Sequence, residues 1–479
     1  MGKQEFVDRA AAEQLRLLGA DPANWVVPIP GVDHDVAVIG GGQSGIAIAF
    51  ALRRAGITNV TVLDAADDET SAGVWSTLAR MRTLRTPKDR SGPELGIPAL
   101  GFRAWYEGLH GTEAFDAIGR IARTDWAEYL AWFRRQTGIE VRYRTRLTDL
   151  ARGRDAFELT LVADGVERVE TARKVVFATG VEGSGGPNVP AIFDALPAGL
   201  YAHTGQAIDA ESLAGRTVGV LGAGASALDA AAVALEAGAT EVHLFSRRSE
   251  LVIQPTKGSP PGFGAVENFH LQSDAVRWKS RLAFARKGAS SPWDSVSRVL
   301  EFPNFALHLD APWQELRAED GRVVVRAADG VHTFDFVIAG TGYQYDPATR
   351  TELTTLAPEI ALWSDIYEPP AEQRSEAQGR APYLGPGYEL TAKTPGRAPW
   401  LADIHVFAAS AAQSFGRPVG DIPSLGTGVP RLVTAIARDL YFAGVATPGT
   451  AAATEPESFY DKYSHSIWRS AELAESPAS

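Results

Sequence analysis

Cysteine is missing from all 479 residues. That removes disulfides, thiolate nucleophiles, cysteine-ligated zinc, iron–sulfur clusters and any dithiol redox centre at once. No metal ligands are assigned elsewhere. No apolar run is long enough to cross a bilayer, and the opening Met1-Gly-Lys-Gln-Glu-Phe6 has no apolar segment of a secretory signal. A positive balance is missing too. Lys and Arg number 46 against 58 Asp and Glu, a net charge of −12, which argues against nucleic acid or an anionic membrane as partner. These absences predict a cytoplasmic protein that works on small molecules; self-association is left open. What remains is an ordinary composition, 45% hydrophobic and 22% charged, in a chain long enough for two or three domains.

The chain is organised around Asp35-Val-Ala-Val-Ile-Gly-Gly-Gly-Gln-Ser-Gly45. Residues 36–39 read as a buried strand, Gly40, Gly42 and Gly45 form G-x-G-x-x-G, and 46–55 read as an apolar helix. The first glycine permits a tight strand-to-helix turn, the second lets backbone N–H groups approach a pyrophosphate, and the third lets the helix pack on its strand. A second strand, 60–63, ends in Asp64, 24 positions after Gly40, where a carboxylate accepts from ribose hydroxyls.

The pattern returns at 217. Residues 218–221 are a strand, Gly222, Gly224 and Ala227 give G-x-G-x-x-A, 225–237 is a helix, and the next strand, 242–245, ends in Ser246-Arg-Arg248. An acid at this place repels a 2′-phosphate, whereas arginines attract one. The first site therefore reads as FAD and the second as NADPH. Cofactors do the hard chemistry and the protein positions them.

Between the cradles, residues 72–89 are too rich in Gly, Pro and Arg for a regular element. With Trp75, Arg82, Arg85 and Lys88 they read as a loop laid along a large flat anionic cofactor. Residues 4–18 predict a helix with Phe6, Ala10, Leu15 and Leu18 on its packed face, and 124–136 predict a capped amphipathic helix. Arg142, Arg144 and Arg146 alternate along a predicted strand, as a solvated face. Strand 175–180 leads to a linker of Gly183, Gly185, Gly186 and Pro187. Residues 251–300 break the α/β rhythm with Pro255, Pro260, Pro261 and several aromatics, either as a substrate-covering excursion or as a surface insertion. Residues 420–431 read as a Gly/Pro loop opening a helix at 432–441, and 445–479 as a tail.

The two cradles, with Gly73-Val-Trp75, Ala178-Thr-Gly180 and Gly340-Thr-Gly-Tyr343, resemble the class B flavoprotein monooxygenases, over residues 36–441. Met81-Arg-Thr-Leu-Arg-Thr-Pro-Lys88, Gly92-Pro-Glu-Leu-Gly-Ile-Pro98 and Phe102-Arg-Ala-Trp-Tyr-Glu107 are similar to bacterial FAD-dependent urate hydroxylases within that class. The resemblance implies an α/β fold of two doubly wound Rossmann-like domains. The NADPH domain, 188–340, is inserted into an FAD domain made of 1–187 and 341–444. It also implies that NADPH reduces FAD and that molecular oxygen then forms a flavin C4a-(hydro)peroxide, which oxygenates a small organic substrate by N-hydroxylation or ring hydroxylation. Implied FAD contacts are Gly40, Gly42, Gln43, Ser44, Gly45, Asp64, Ala65, Val74, Trp75, Thr179, Gly180 and Gly342. Implied NADPH contacts are Gly222, Gly224, Ala225, Ser226, Arg247 and Arg248.

The chain departs from the family pattern in two places. Of the linker fingerprint F-x-G-x-x-x-H, Gly199 and His203 fit but Pro197 replaces Phe, so a hydrogen-bonded structural role for His203 is at least as good a reading as a catalytic one. Arg85 stands where Asn is usual. A fixed guanidinium there would hold an anionic peroxide or an anionic substrate, with Lys88 as a second candidate that also suits a structural or cofactor-phosphate role. Zero cysteines exclude a dithiol disulfide reductase. A flavin reductase serving a quinone or protein acceptor, and a flavin-binding redox sensor, stay open.

Overall fold

Strand β1 (His34–Ile39) is buried at all but its first residue, as a parallel strand covered on both faces must be. A computed structural model describes residues 2–254, 262–288 and 290–445. In it β1 pairs in parallel with β2 (Val60–Leu63) and with the second half of β5 (Val166–Phe177). The first half of β5 turns back at Asp164 and Gly165, both at positive φ, and pairs antiparallel with β4 (Phe157–Ala163), which pairs with β3 (Thr145–Arg152). β5 thus belongs to a meander at one end and to the parallel core at the other.

The second sheet is parallel throughout, in the order β11-β8-β7-β15-β6. Its strands are β6 (Tyr201–His203), β7 (Thr217–Leu221), β8 (Glu241–Phe245), β11 (Phe305–His308) and β15 (Phe336–Ala339). A two-residue pair, β9 (Ile253–Gln254) and β10 (Ser291–Pro292), lies in the excursion. An antiparallel meander of β12 (Trp313–Glu319), β13 (Arg322–Ala327) and β14 (Gly330–Phe334) joins β11 to β15. Trp313, Leu316, Val323 and Phe334 of the meander pack with Phe245 and Val337 of the sheet. The chain then re-enters the first sheet, where β16 (Ile404–Val406) pairs β5. The second Rossmann-like unit is therefore inserted into the first, and the two connecting strands touch: Asn188 N donates to Gly342 O at 2.9 Å and Gln344 N to Gly186 O at 3.0 Å.

Helices α1 (Lys3–Leu17), α2 (Gln43–Arg54), α3 (Phe102–His110), α4 (Thr112–Ala117) and α5 (Arg123–Thr137) surround the first sheet, and α6 (Ala225–Glu236) follows β7 in the second. The excursion holds α7 (Phe263–Asn268), α8 (Asp274–Lys287) and α9 (Trp293–Leu300). Single turns α10 (Trp363–Ile366), α11 (Glu376–Gly379) and α12 (Ala412–Phe415) precede the long α13 (Ile422–Val445). Phe102, Trp105, Trp126, Tyr129, Trp132 and Phe133 are all buried between α3 and α5. Each such ring contributes about 1.5–3 kcal/mol by burial. Phe133 meets Phe50 edge-on at 5.7 Å, which holds α5 against α2. Among the described residues no helix is long and apolar enough to cross a membrane.

Four local expectations need correction. The packed stripe of α1 is Val7, Ala11 and Leu15, so Leu15 lies on the expected face, while Phe6 is 53% exposed and the first turns are shifted by one residue. Helix α5 begins after Ala122 with no side-chain cap, so Thr124 lies inside it. Arg144 sits at φ +49 before β3 starts, so the expected strand begins later; Arg144 and Arg146 are exposed, as a solvated face requires, and Arg142 and Arg144 pair with Glu170 and Asp164. Residues 422–431 are helical: Asp421 caps α13, accepting from Ser424 N at 3.0 Å, and Pro430 is carried inside the helix. Pro255, Pro260, Pro261 and 446–479 of the expected tail lie outside the described residues.

The open question over 251–300 is partly answered. Arg298 of α9 binds Glu236, Ser295 binds Asp229, Trp278 Nε1 donates to Gln373 O and Arg431 pairs with Glu267. The segment is packed against both units and is no loose surface insertion, although Phe263 and Trp293 stay exposed.

Candidate functional site

The first cradle is shaped by backbone crowding. A Cβ on Gly40, at φ +110, would lie 2.5 Å from Ala178 O, and one on Gly45 would lie 1.8 Å from Gly40 O. Gly42 differs: a Cβ there would reach only Gly73 Cα, at 3.5 Å. The Gly73-Val74-Trp75 turn therefore lies directly against the middle glycine. Gly42 is also the N-cap of α2, where no side chain caps the helix and no acid sits in the first turn. Uncapped first-turn N–H groups and an unneutralised positive helix end suit an anion.

The acid at the end of β2 is in place. Asp64 Oδ2 accepts from Gly41 N at 2.6 Å and Oδ1 from Ala66 N at 2.7 Å, with Ala65 exposed beside it. Gln43 Nε2 and Ser44 Oγ both donate to Gly420 O, at 2.7 and 3.3 Å, and Trp126 Nε1 donates to Gln43 Oε1. An open pocket borders this cradle, lined by Gly41, Gly42, Gln43, Trp75, Arg134 and Tyr143 among others.

At the end of β5, Gly180 takes φ +69. Thr179 Oγ1 donates to Gly183 O, and Gly180 O accepts from Ser184 Oγ at 2.7 Å and from Ala409 N at 3.4 Å. Ser410 N in turn donates to Ser184 Oγ. The turn is thus locked to the chain that follows β16. Gly342 lies in the crossing between units, at φ +81. His203 accepts from Gly205 N at Nδ1, at 3.0 Å, and meets the Tyr343 ring edge-on. Burial pushes its pKa down, with Arg80 adding to the effect.

The second cradle repeats the first with one exchange. A Cβ on Gly222, at φ +115, would lie 2.3 Å from Gly340 O. The third place is Ala227, fully buried, and a Cβ on Gly340 would lie 2.5 Å from the Ala227 Cβ. Helix α6 begins at Ala225 after an uncapped Gly224, again without an acid in the first turn, and Ser226 is exposed.

The two arginines after β8 separate. Arg247 is exposed and has no hydrogen bond or ion pair among the described residues. Arg248 donates to Lys287 O and Arg286 O, so it caps the C-terminus of α8. The expected paired clamp is a single free arginine.

The loop expected to lie along a cofactor meets the first cradle at Gly73 and continues as a strap between the units. Arg80 donates to Thr204 O and Gln206 O, both at 2.7 Å. Arg82 pairs with Glu236 at 2.5 Å and Arg85 with Asp229 at 2.5 Å, both acids on α6. Arg298, chiefly, and Arg82 hold the Glu236 carboxyl below its usual range. Arg85, read from the sequence as a cation for a peroxide or an anionic substrate, is paired with the buried Asp229 carboxylate. Lys88 is likewise partnered, as its structural reading expects. Its ammonium donates to the carbonyls of Phe115, Ile118 and Asp116, at 2.7, 2.9 and 3.2 Å, which spends all three of its protons at the end of α4. Sequence reading missed Asp229, Glu236, Gly420 and Asp421. Only the last left a signal, an Asp followed by Ile-Pro-Ser at a helix start.

The comparisons with known proteins agree with this frame. The model of the pyridine nucleotide-disulphide oxidoreductase family matches residues 34–281, a stretch that spans both cradles. Since the chain holds no cysteine, what it shares with that family is the frame and not the dithiol. The FAD-dependent urate hydroxylase of Xanthomonas campestris pv. campestris is 38% identical over 444 residues, 91% of this chain and 92% of that one. The chain belongs to that enzyme's family, the class B flavoprotein monooxygenases. Other monooxygenases share the fold. The Kutzneria sp. 744 ornithine N-hydroxylase, solved with reduced FAD, NADP⁺ and L-ornithine, superposes with TM-score 0.65 at 18% identity, over 85% of this chain and 99% of its own. L-lysine 6-monooxygenase from Pseudomonas syringae gives 0.63 at 19%, with the same coverage.

Proposed function

We propose that this monooxygenase uses FAD and NADPH to hydroxylate a small planar nitrogen heterocycle, with urate the first compound to try. The carrying observation is the asymmetry of the cradles: Asp64 closes one and the free Arg247 closes the other. The uncapped starts of α2 and α6, together with the open face of Gly42 against Gly73, fit two dinucleotide pyrophosphates. When bound, the flavin, reduced by the nicotinamide, activates molecular oxygen and supplies one of its atoms to the substrate.

The chain's own residues bind, orient and enclose. Gly40, Gly42, Gln43, Ser44 and Gly45 receive the FAD pyrophosphate, and Asp64 beside Ala65 receives its adenosine ribose. Val74, Trp75, Thr179, Gly180 and Gly342 face the rest of the flavin. Gly222, Gly224, Ala225 and Ser226 receive the NADPH pyrophosphate, and Arg247 its 2′-phosphate. Arg248 and Lys88 hold helix ends. Arg85 positions α6 through Asp229, so that the nicotinamide presented by one unit meets the flavin held by the other. The FAD unit is read as 1–187 with 341–444 and the NADPH unit as 188–340, the boundary lying at the paired connections near Asn188 and Gly342. A cytoplasmic setting, where NADPH is made, belongs to the same proposal.

Two features where the excursion meets residues 376–416 support a planar, partly anionic substrate. Arg281 on α8 has no carboxylate partner among the described residues and donates only to Gly416 O, at 3.4 Å. Gln378 and Gln413 are buried and joined to each other at 3.1 Å, leaving one amide oxygen and one amide nitrogen unpartnered. Such fixed amides suit the N–H and C=O edges of a heterocycle.

The test is NADPH consumption by purified, FAD-loaded protein with urate, L-ornithine and L-lysine in parallel, with products identified by mass. Urate should stimulate consumption and gain one oxygen atom. Protein that is colourless and cannot be loaded with FAD, or that shows no response to urate, would overturn the reading.

A further inference from the structure

Three histidines far apart in the chain meet on the second unit. His243 lies on β8, His308 on β11 and His332 on β14. One ring nitrogen from each lies within 4.8 Å of the others. His243 Nδ1 and His308 Nε2 are 2.9 Å apart. Asp329 reaches both remaining rings, at 2.5 Å to His308 Nδ1 and 3.1 Å to His332 Nε2, and Glu241 lies 3.5 Å from His243 Nε2. The rings are walled by aromatics: Phe245 stacks on His308 at 4.2 Å and 13°, and Phe334 lies nearly parallel to His332. The side chains are 17–23% exposed, open enough for an ion to enter.

We propose that His243, His308 and His332 bind a divalent transition metal of the zinc type, which staples the β12–β14 meander onto the β8–β11 edge of the NADPH unit.

The donor set selects the metal. Imidazole nitrogens suit zinc, nickel, cobalt and copper, whereas magnesium and calcium require oxygen ligands. Three histidines with one further position for water or a carboxylate match a four-coordinate zinc centre. A carboxylate on the outer nitrogen of a ligating histidine fixes its tautomer and strengthens it as a ligand, which is the part Asp329 plays for His308. The ligands come from two layers that share no backbone hydrogen-bond ladder, so one ion would cross-link them. No spacing motif announces the site, because its members lie 65 and 24 residues apart. This revises the sequence reading of no metal and is independent of the monooxygenase reading.

The test uses the full chain, stripped with chelator, checked for retained FAD binding and titrated with ZnCl₂ in a calorimeter and a thermal melt. The wild type should bind one Zn²⁺ per chain and melt higher with metal. His308→Gln and His332→Gln should each weaken binding at least about 100-fold, and Asp329→Asn about 10–100-fold. His110→Gln, on the exposed end of α3, should bind as wild type. His332→Gln lies on the outer meander and serves if His308→Gln fails to fold. No binding at micromolar zinc, or binding that survives both histidine variants, overturns the proposal.

Discussion

In the first cradle a Cβ at the third glycine, Gly45, would lie 1.8 Å from a backbone carbonyl; in the second the same place already holds Ala227. A Cβ on Gly340, which follows β15, would lie 2.5 Å from that methyl. Each strand–turn–helix junction thus solves the same packing problem with its glycines at different places. The ligand-facing ends differ as well. One closes on a carboxylate held by its own loop, the other on an arginine that nothing among the described residues holds. The comparison teaches that one strand–turn–helix motif can end on opposite charges, a carboxylate beyond the second strand of one cradle and a guanidinium in the other.

The comparison can be broken most sharply at the glycines. Gly45→Ala should cost several kcal/mol, upwards of about 4, because backbone must shift. Ala227→Gly should cost only about 1 kcal/mol of helix propensity. Urea unfolding and flavin content measure both, and equal losses would remove the distinction. Next, Arg247→Ala should lower kcat/KM for NADPH about 10–100-fold, the worth of charge-assisted hydrogen bonds, and leave NADH nearly unchanged. Arg248→Ala should change the NADPH:NADH ratio far less, since its partners are the α8 carbonyls.

A smaller effect is expected where the units are joined. Arg85→Ala and Asp229→Asn should each slow flavin reduction by NADPH about tenfold, with the double variant no slower than either single one. Stopped-flow bleaching of the flavin reads this, and additive losses would show that the two residues act separately. The mildest contrast is with acid. His405 on β16 is fully buried, donates from Nδ1 to Gly387 O at 2.8 Å, and has its pKa lowered to about 4, by burial first and Lys174 second. Its stabilising contribution is present above 6.5 and is lost as pH falls from 6.5 toward 4, because the unfolded chain takes up the proton first. Melting temperatures should fall more steeply over that range in wild type than in His405→Asn, and parallel curves would clear His405 as the source.

The parts legible in the sequence are those set by short-range sterics. Gly40, Gly45 and Gly222 are demanded by contacts within their own strand–turn–helix junctions, so spacing reveals them and places Asp64 and Arg247 at the strand ends. The same locality marked Asp421 as a helix cap, a signal masked by the glycines and prolines that follow it. Long-range partners leave no such trace. The chain alone shows that Arg85, Lys88 and Arg248 are cations. It does not show that Asp229 lies 144 residues away in sequence yet 2.5 Å away in space, or that two helix C-termini take up the other two. A charge's role depends on which oxygen the fold brings beside it. The sequence by itself therefore determined two nucleotide cradles and their order, and only the tertiary structure decided which cations are spent on holding them together and where three distant histidines meet.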